Sequence, residues 1–149
     1  MAKIIEFTPV LEAAILASGD VMMAVQEIAG VFKAGQSNKL ISVQVIDTDD
    51  QGQSFDLYFF NASATLGTLN AAITINDTDA AKSIGQVSFT AAANGTDMIN
   101  SWNFVKFLDE GIVMKPLDTS SSLWIGAVCR GGTPTYTASG FKIKLGFAD

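Results

Sequence analysis

The chain has 149 residues, a net charge of −6 and a single cysteine, and it contains no histidine. This length is enough for one domain with its own core, and the missing histidine excludes Ser-His-Asp, Cys-His and histidine-based zinc sites. The nine lysine and arginine residues are scattered and the balance is acidic, which argues against nucleic acid as a partner because nucleic acid is met by a basic face.

The N-terminal part of the chain predicts two strands, at residues 4–7 and 21–28, because apolar and β-branched residues dominate both runs. Residues 9–17 between them fit a short turn of helix. We expect one β-sandwich domain over residues 1–149, in which the first 17 residues are either part of the sandwich or an arm.

Residues 40–47 and 55–60 predict a hairpin. Val43 and Val45 alternate with polar residues, and the loop between the two strands is rich in the turn formers Asp and Gly. In the second strand both faces are largely apolar, and Tyr58 and Phe60 share the face that normally meets water. These two aromatic side chains therefore need cover from a second sheet, from a loop of the same chain, or from a neighbouring subunit.

The rest of the chain predicts further short strands separated by turn signals, at residues 72–75, 85–90, 102–108, 112–115, 123–130 and 141–147. One helix is expected at residues 77–84, capped by Asp77 or Thr78. Ten short strands and at most one or two short helices predict an all-β fold, an antiparallel β-sandwich or a jelly-roll-like barrel.

Paired carboxylates are the remaining candidates for chemistry. Asp47, Asp49 and Asp50 lie close together, and the run from Asp47 to Gly52 resembles the start of a calcium loop, but Tyr58 stands where such a loop needs its bidentate glutamate. A solvated hairpin turn is the simpler interpretation. Cys129 lies in an apolar run and is expected to be a small buried hydrophobe. We predict no enzyme, no cofactor and no metal, with a carboxylate-based hydrolase as the enzymatic alternative.

The low content of charge points to protein partners. Charged residues make up 16% of the chain, against about 25% in an average domain, so part of the surface is expected to face another subunit. The candidate interface residues are Tyr58, Phe60, Trp102 and Arg130. No apolar run reaches the roughly 18 residues of a membrane span, and residues 1–10 lack the order of a signal peptide, so we predict no membrane partner.

Several segments resemble a group of small virion structural proteins of tailed bacteriophages. They are Ser18-Gly19-Asp20 before a strand, residues 42–47 with Asp49-Asp50-Gln51, residues 55–60, and residues 130–136 leading into the last strand. The likeness spans roughly residues 18–147 and contains no catalytic motif. It implies a protein associated with the phage head, of the auxiliary or decoration type.

The resulting hypothesis is a non-enzymatic capsid decoration or cement protein, made in the host cytoplasm and located in the virion. Its expected partners are further copies of itself, with a trimer favoured, and the major capsid protein or another virion protein. A tail or neck component is a related alternative. A carbohydrate-binding or adhesion module is the alternative from another class, and it depends on an exposed Trp102 that stacks on a sugar.

Overall fold

The computed structural model describes residues 2–148, which form nine strands and two helices of one turn each. The strands are β1 (Lys3–Phe7), β2 (Val21–Ile28), β3 (Asn38–Asp47), β4 (Phe55–Phe60), β5 (Ser83–Phe89), β6 (Gly95–Asp97), β7 (Trp102–Met114), β8 (Leu123–Cys129) and β9 (Phe141–Phe147); the helices are α1 (Asp77–Ala80) and α2 (Ala91–Asn94). The predicted all-β fold is confirmed.

The strands form two antiparallel sheets that pack as a sandwich. One sheet has the order β1-β9-β3-β7-β6 and the other has the order β2-β8-β4-β5. Apart from the short β6, each sheet therefore has four strands, and the chain crosses between the sheets at almost every connection. This eight-strand order is that of a jelly roll, an arrangement found in viral capsid domains, lectins and cupins.

The core is built from the inward faces of both sheets. Phe55 lies at its centre, with its ring 5.0 Å from Phe89, 5.1 Å from Phe104 and 5.0 Å from Phe141, measured between ring centroids. Such distances suit edge-on and offset aromatic packing. The alternation of β9 is as predicted: Phe141, Ile143, Leu145 and Phe147 are all fully buried.

The prediction of two strands at residues 102–108 and 112–115 is wrong, because they form the single strand β7. Between the pairs Ser42–Phe107 and Leu40–Ile112, β7 has three more residues than β3. Gly111, a residue type common in turns, lies in a bulge of β7 and has a φ of 70°. A β-bulge accepts extra residues without ending the pairing of the strands.

The prediction of a strand at residues 72–75 is also wrong. The predicted alternation is present, because Ile73 and Ile75 pack toward the four-stranded sheet while Ala72 and Thr74 are exposed. The segment, however, makes only the isolated bridge from Asp20 to Ala72 and joins neither sheet. Apolar residues at every second position indicate an extended segment with one buried side. A segment that covers a sheet has this pattern as well as a strand within a sheet.

The two predicted helices differ from those in the structure. The helix expected at residues 77–84 ends at Ala80, since Ser83 already pairs with Phe60. Its cap is Asn76, which accepts from the Asp79 N–H, rather than Asp77 or Thr78. No helix forms at residues 9–17, where Ile15 instead bridges to Thr135. Residues 2–17 run along the domain: β1 pairs with β9, and Leu11 and Leu16 are buried.

The α2 helix and the β6 strand have no counterpart in the sequence prediction. Thr90 caps α2 by accepting a hydrogen bond from the backbone N–H of Ala93. Neither helix in the described part of the chain is long and apolar enough to cross a membrane.

Candidate interaction surfaces

The outer face of the four-stranded sheet is covered by the chain itself. Segment 61–76, which joins β4 to α1, lies over this face and forms a second apolar cluster with it. Phe60 is 1% exposed in this cluster. Of the three covers considered for Phe60, the structure contains the loop of the same chain, so Phe60 is packed within its own chain.

Gly126 explains how the segment can lie so close to the sheet. A Cβ atom at Gly126 would come within 2.7 Å of a methyl carbon of Leu66 and within 3.0 Å of Val25. The Leu66 side chain, which is 1% exposed, occupies the space that any larger residue would need. Gly126 thus gives β8 a smooth outer face onto which Leu66 packs.

Three polar side chains form a small cluster at the border of this cover. The Arg130 Nε donates to the Asp56 carboxylate at 2.7 Å, and its Nη2 donates to the Tyr58 hydroxyl at 2.9 Å. The Asp56 carboxylate raises the pKa of Arg130. The structure brings Tyr58 and Arg130 together as predicted interface candidates, but both are already engaged within the chain.

Trp102 lies at the other side of the molecule, at the start of β7. It is half-buried, stacked on Phe104 with ring centroids 6.0 Å apart, and its other neighbour is Gly52. A Cβ atom added at Gly52 would be closer to the Trp102 indole ring than van der Waals contact allows. Packing on both neighbours gives Trp102 a role at the end of the core, and part of its indole remains exposed.

The aspartates of the β3–β4 loop bind their own backbone. Asp47 is fully buried, and its carboxylate accepts hydrogen bonds from the backbone N–H groups of Asp49, Gln51 and Gly52, each at 2.9 Å. Burial raises the pKa of the Asp47 carboxyl, and these three donors oppose that rise. The carboxylate holds the loop in shape. The predicted hairpin with a solvated turn is wrong, because β3 and β4 belong to different sheets and Asp47 is buried.

Asp49 bridges this loop to the segment before β9. Its carboxylate accepts from the Thr137 backbone N–H at 2.7 Å and from the Thr137 hydroxyl at 3.0 Å. Across residues 2–148, no group of three or more His, Cys, Asp or Glu side chains is placed to hold a metal ion.

The outer face of the five-stranded sheet differs from the covered one, because apolar side chains remain exposed on it. Ile4 of β1 is 68% exposed and Phe107 of β7 is 76% exposed. They lie at the two ends of one cross-strand row whose middle positions are Gly146 and Ser42. The Ser42 side chain lies over Gly146 in the middle of this row.

This bare face also carries positive charge in an acidic chain. Lys39, Lys142 and Lys144 point outward from β3 and β9, and the Glu6 carboxylate lies 3.7 Å from the Lys144 Nζ. A depression of about 440 Å³ adjoins Glu6, Ile46, Lys142 and Lys144. The chain of net charge −6 thus places basic groups beside the apolar side chains of one face.

Sequence analysis missed this face. Ile4 and Phe107 were inside predicted strands, but neither side chain was assigned to an outer surface. The alternation along β7 could have indicated that Phe107 points outward. Phe107 lies two residues after Val105, on the face opposite to the buried Phe104.

Comparisons with known proteins complete the description. No family model matches the chain, and a comparison with curated proteins gave no match. Among solved structures, the chain is similar to the subviral particle protein VP2 of infectious bursal disease virus, with a TM-score of 0.42, 13% identity, and coverage of 98% of this chain and 32% of that chain.

Two further structures are similar at lower scores. Desmodium yellow mottle tymovirus has a TM-score of 0.32 and 10% identity, over 99% of this chain and 79% of that chain. The unassembled Washington University polyomavirus VP1 pentamer has a TM-score of 0.28 and 10% identity, over 98% of this chain and 90% of that chain. This chain spans about a third of VP2, and the order of its own strands, rather than these scores, identifies the jelly roll.

Proposed function

We propose that this chain is a non-enzymatic structural protein of a virus particle, and that it binds the head of a tailed phage as a decoration protein. The observation that carries the proposal is the bare outer face of the five-stranded sheet, where Ile4 and Phe107 are exposed on the same face as three lysines. Exposed apolar surface rimmed by polar groups is typical of a protein interface. The resemblance of residues 18–147 to small phage virion proteins supports the same assignment.

The chemistry of the face defines the partner surface. An apolar protein surface carrying acidic groups would complement Ile4, Phe107 and the lysines of β3 and β9. The major capsid protein is the proposed owner of that surface. A jelly roll alone does not distinguish capsid proteins from lectins or cupins, so the proposal depends on this face and on the resemblance.

The area of this face is too small for one copy of the chain to form an interface of standard size. Five strands spaced about 4.8 Å apart and about seven residues long cover roughly 20 by 23 Å, or roughly 450 Å² before side-chain relief. A standard interface buries about 800 Å² on each partner. An oligomer that presents several such faces would gain avidity from their linkage, which supports the expected homo-oligomer.

The proposal is tested by binding to particles. Purified heads that lack this protein are mixed with the chain and sedimented, and the bound chain is measured. Phe107→Ser combined with Lys142→Glu should weaken binding at least about tenfold, since apolar contact and charge complementarity are lost together. The matched control is Ile15→Ser, which changes an equally exposed apolar residue between β1 and β2. Equal binding of both variants, or absence of the protein from purified particles, would overturn the proposal.

A further inference from the structure

The turn between β6 and β7 has an apolar tip. Asp97 and Trp102 are the last paired residues of this hairpin, and the turn consists of residues 98–101. Met98 is 46% exposed and Ile99 is 82% exposed. Ile99 is thus the most exposed of the large apolar side chains described, at the outermost point of a hairpin.

The backbone of Ile99 adopts a conformation that disfavours isoleucine. Its φ is 76°, and the backbone N–H of Asn100 donates to the Met98 carbonyl at 3.0 Å across it. Such a three-residue turn with positive φ is rare and strained, and a β-branched side chain at positive φ is an outlier. Glycine or asparagine would adopt the turn at lower cost, and the side chain gains almost no burial within its own chain in return.

Other hydrogen bonds hold the strained tip in one shape. The Met98 N–H donates to the Ser101 carbonyl at 2.8 Å, and the Ile99 N–H donates to the Asp97 carboxylate at 2.7 Å. A tip fixed in this way presents the isoleucine side chain in a constant direction. Docking such a preorganised group loses little conformational entropy.

A pocket of matching size and chemistry lies on the opposite sheet. It has a volume of about 170 Å³, between the four-stranded sheet and the segment that covers it, and its apolar walls are Tyr58, Phe60, Leu66, Ile73, Ile75 and Ala80. An apolar cavity of about 150 Å³ accommodates a benzene molecule. The four-carbon side chain of an isoleucine is smaller than benzene and fits such a space.

The tip cannot reach the pocket of its own chain. Trp102 at the base of the hairpin lies against Gly52, just before β4, whereas the pocket lies near Phe60 at the far end of β4. The length of β4 alone separates them by roughly 17 Å, and they belong to opposite sheets. A contact between tip and pocket therefore requires two copies.

We propose that Ile99 of one copy inserts into this pocket of a neighbouring copy. The tip and the pocket are different surfaces, so the contact is heterologous, and it generates a ring when the rotation between copies closes. The predicted trimer is one such ring. This inference refines the homo-oligomer part of the proposed function, but it concerns the purified chain alone, so its test is independent of binding to particles.

The first test compares two isoleucines that are both exposed. Ile99→Asn should raise the dissociation constant of self-association at least tenfold in sedimentation velocity experiments while raising the melting temperature of the monomer, because asparagine relieves the strained turn. Ile15→Asn makes the same chemical change on an isoleucine that is 67% exposed elsewhere and should leave association unchanged. Unchanged association of Ile99→Asn, or a wild-type chain that stays monomeric at about 1 mM, a limit that corresponds to very weak binding, would overturn the inference.

The second test identifies the two surfaces directly. Ser83 lines the same pocket and is exposed, so Ser83→Cys places a thiol at its rim. A mixture of Ile99→Cys chains and Ser83→Cys chains should form disulfide-linked pairs on oxidation, whereas neither variant alone should do so. Native Cys129 is 1% exposed and stays outside this reaction. Cross-linking of Ile99→Cys with itself, or none in the mixture, contradicts a contact between tip and pocket.

Discussion

At the residue scale, Asp47 shows how a charged side chain is stabilised inside an apolar sandwich. Burial of an ionised carboxylate is costly unless hydrogen bonds replace its water. The three backbone N–H groups of the β3–β4 loop supply those bonds. The same contacts satisfy backbone donors that would otherwise be buried without a partner, so the side chain and the loop stabilise each other.

Asp47→Asn should destabilise the fold by about 2–4 kcal/mol, because the new amide group faces backbone N–H donors and leaves at least one of them unsatisfied. Urea denaturation monitored by circular dichroism measures the change. Asp50→Asn is the matched control: it removes the same charge three residues later, where the side chain is exposed and φ is 57°. That variant should stay within about 0.5 kcal/mol of the wild type. Equal effects of the two variants would mean that charge, not hydrogen bonding, matters in this loop.

Cys129 illustrates a residue whose reactivity is suppressed by its surroundings. It is 1% exposed, its thiol donates to the Gly131 carbonyl at 3.3 Å, and burial raises the pKa of the thiol. Because the thiolate is the reactive form, alkylation by iodoacetamide at pH 8 should be at least about 100-fold slower in the folded chain than in urea. Comparable rates in the two states, read by mass spectrometry, would show that Cys129 is accessible.

At the element scale, β9 is the strand whose burial follows most directly from the alternation of apolar and polar residues in its sequence. Its four apolar residues all point into the core, while Lys142 and Lys144 point outward. The alternation predicts this because the side-chain period of a strand is two wherever it occurs.

Leu145→Ala should lower the free energy of unfolding by about 2–5 kcal/mol, since it leaves a cavity in a well-packed core. The neighbouring change Lys144→Ala removes only a surface ion pair and should cost less than about 1 kcal/mol. Both values follow from chemical denaturation. A loss below about 0.5 kcal/mol for Leu145→Ala would contradict its core position.

Because segment 61–76 covers Phe60, we expect a substitution of Phe60 to affect the stability of the isolated chain. Since Phe60 is packed beneath Leu66 and its neighbours, Phe60→Ser should destabilise the isolated chain by about 3–5 kcal/mol, the range for removing a buried aromatic ring. Thermal unfolding of the variant measures this. A Phe60→Ser chain that keeps the wild-type melting temperature but no longer assembles would instead support the original assignment of Phe60 to an interface with a partner.

At the scale of the whole molecule, the jelly roll joins distant parts of the chain. The β1 strand pairs with β9, and β2 pairs with β8, so almost every sheet contact closes a long loop. Chains dominated by non-local pairing fold slowly. Stopped-flow fluorescence should therefore give a main folding phase of roughly milliseconds to seconds, reported by Trp102 and Trp124, which are both half-buried. A main phase in the microsecond range would contradict this topology.

The tertiary structure also distinguishes the outer faces of the two sheets, which the amino-acid composition cannot tell apart. Low charge predicts that some surface is covered by protein, without saying which surface or by what. In the structure, one outer face is covered by segment 61–76, and the other exposes Ile4 and Phe107. The proposed contact with the capsid uses the bare face, and the proposed contact between copies uses the apolar tip and the pocket beside segment 61–76.

The sequence by itself determined the all-β class, most strand positions and the inward face of strands such as β9, because alternation is a local property of a few neighbouring residues. Only the tertiary structure decided that Phe60 is covered by its own chain, that residues 72–75 are a cover rather than a strand, and that β7 continues through its bulge. Each of these depends on contacts between segments far apart in the chain, such as Leu66 against Gly126 and Phe107 against Ser42. Local periodicity contains no information about which distant segment supplies the contact.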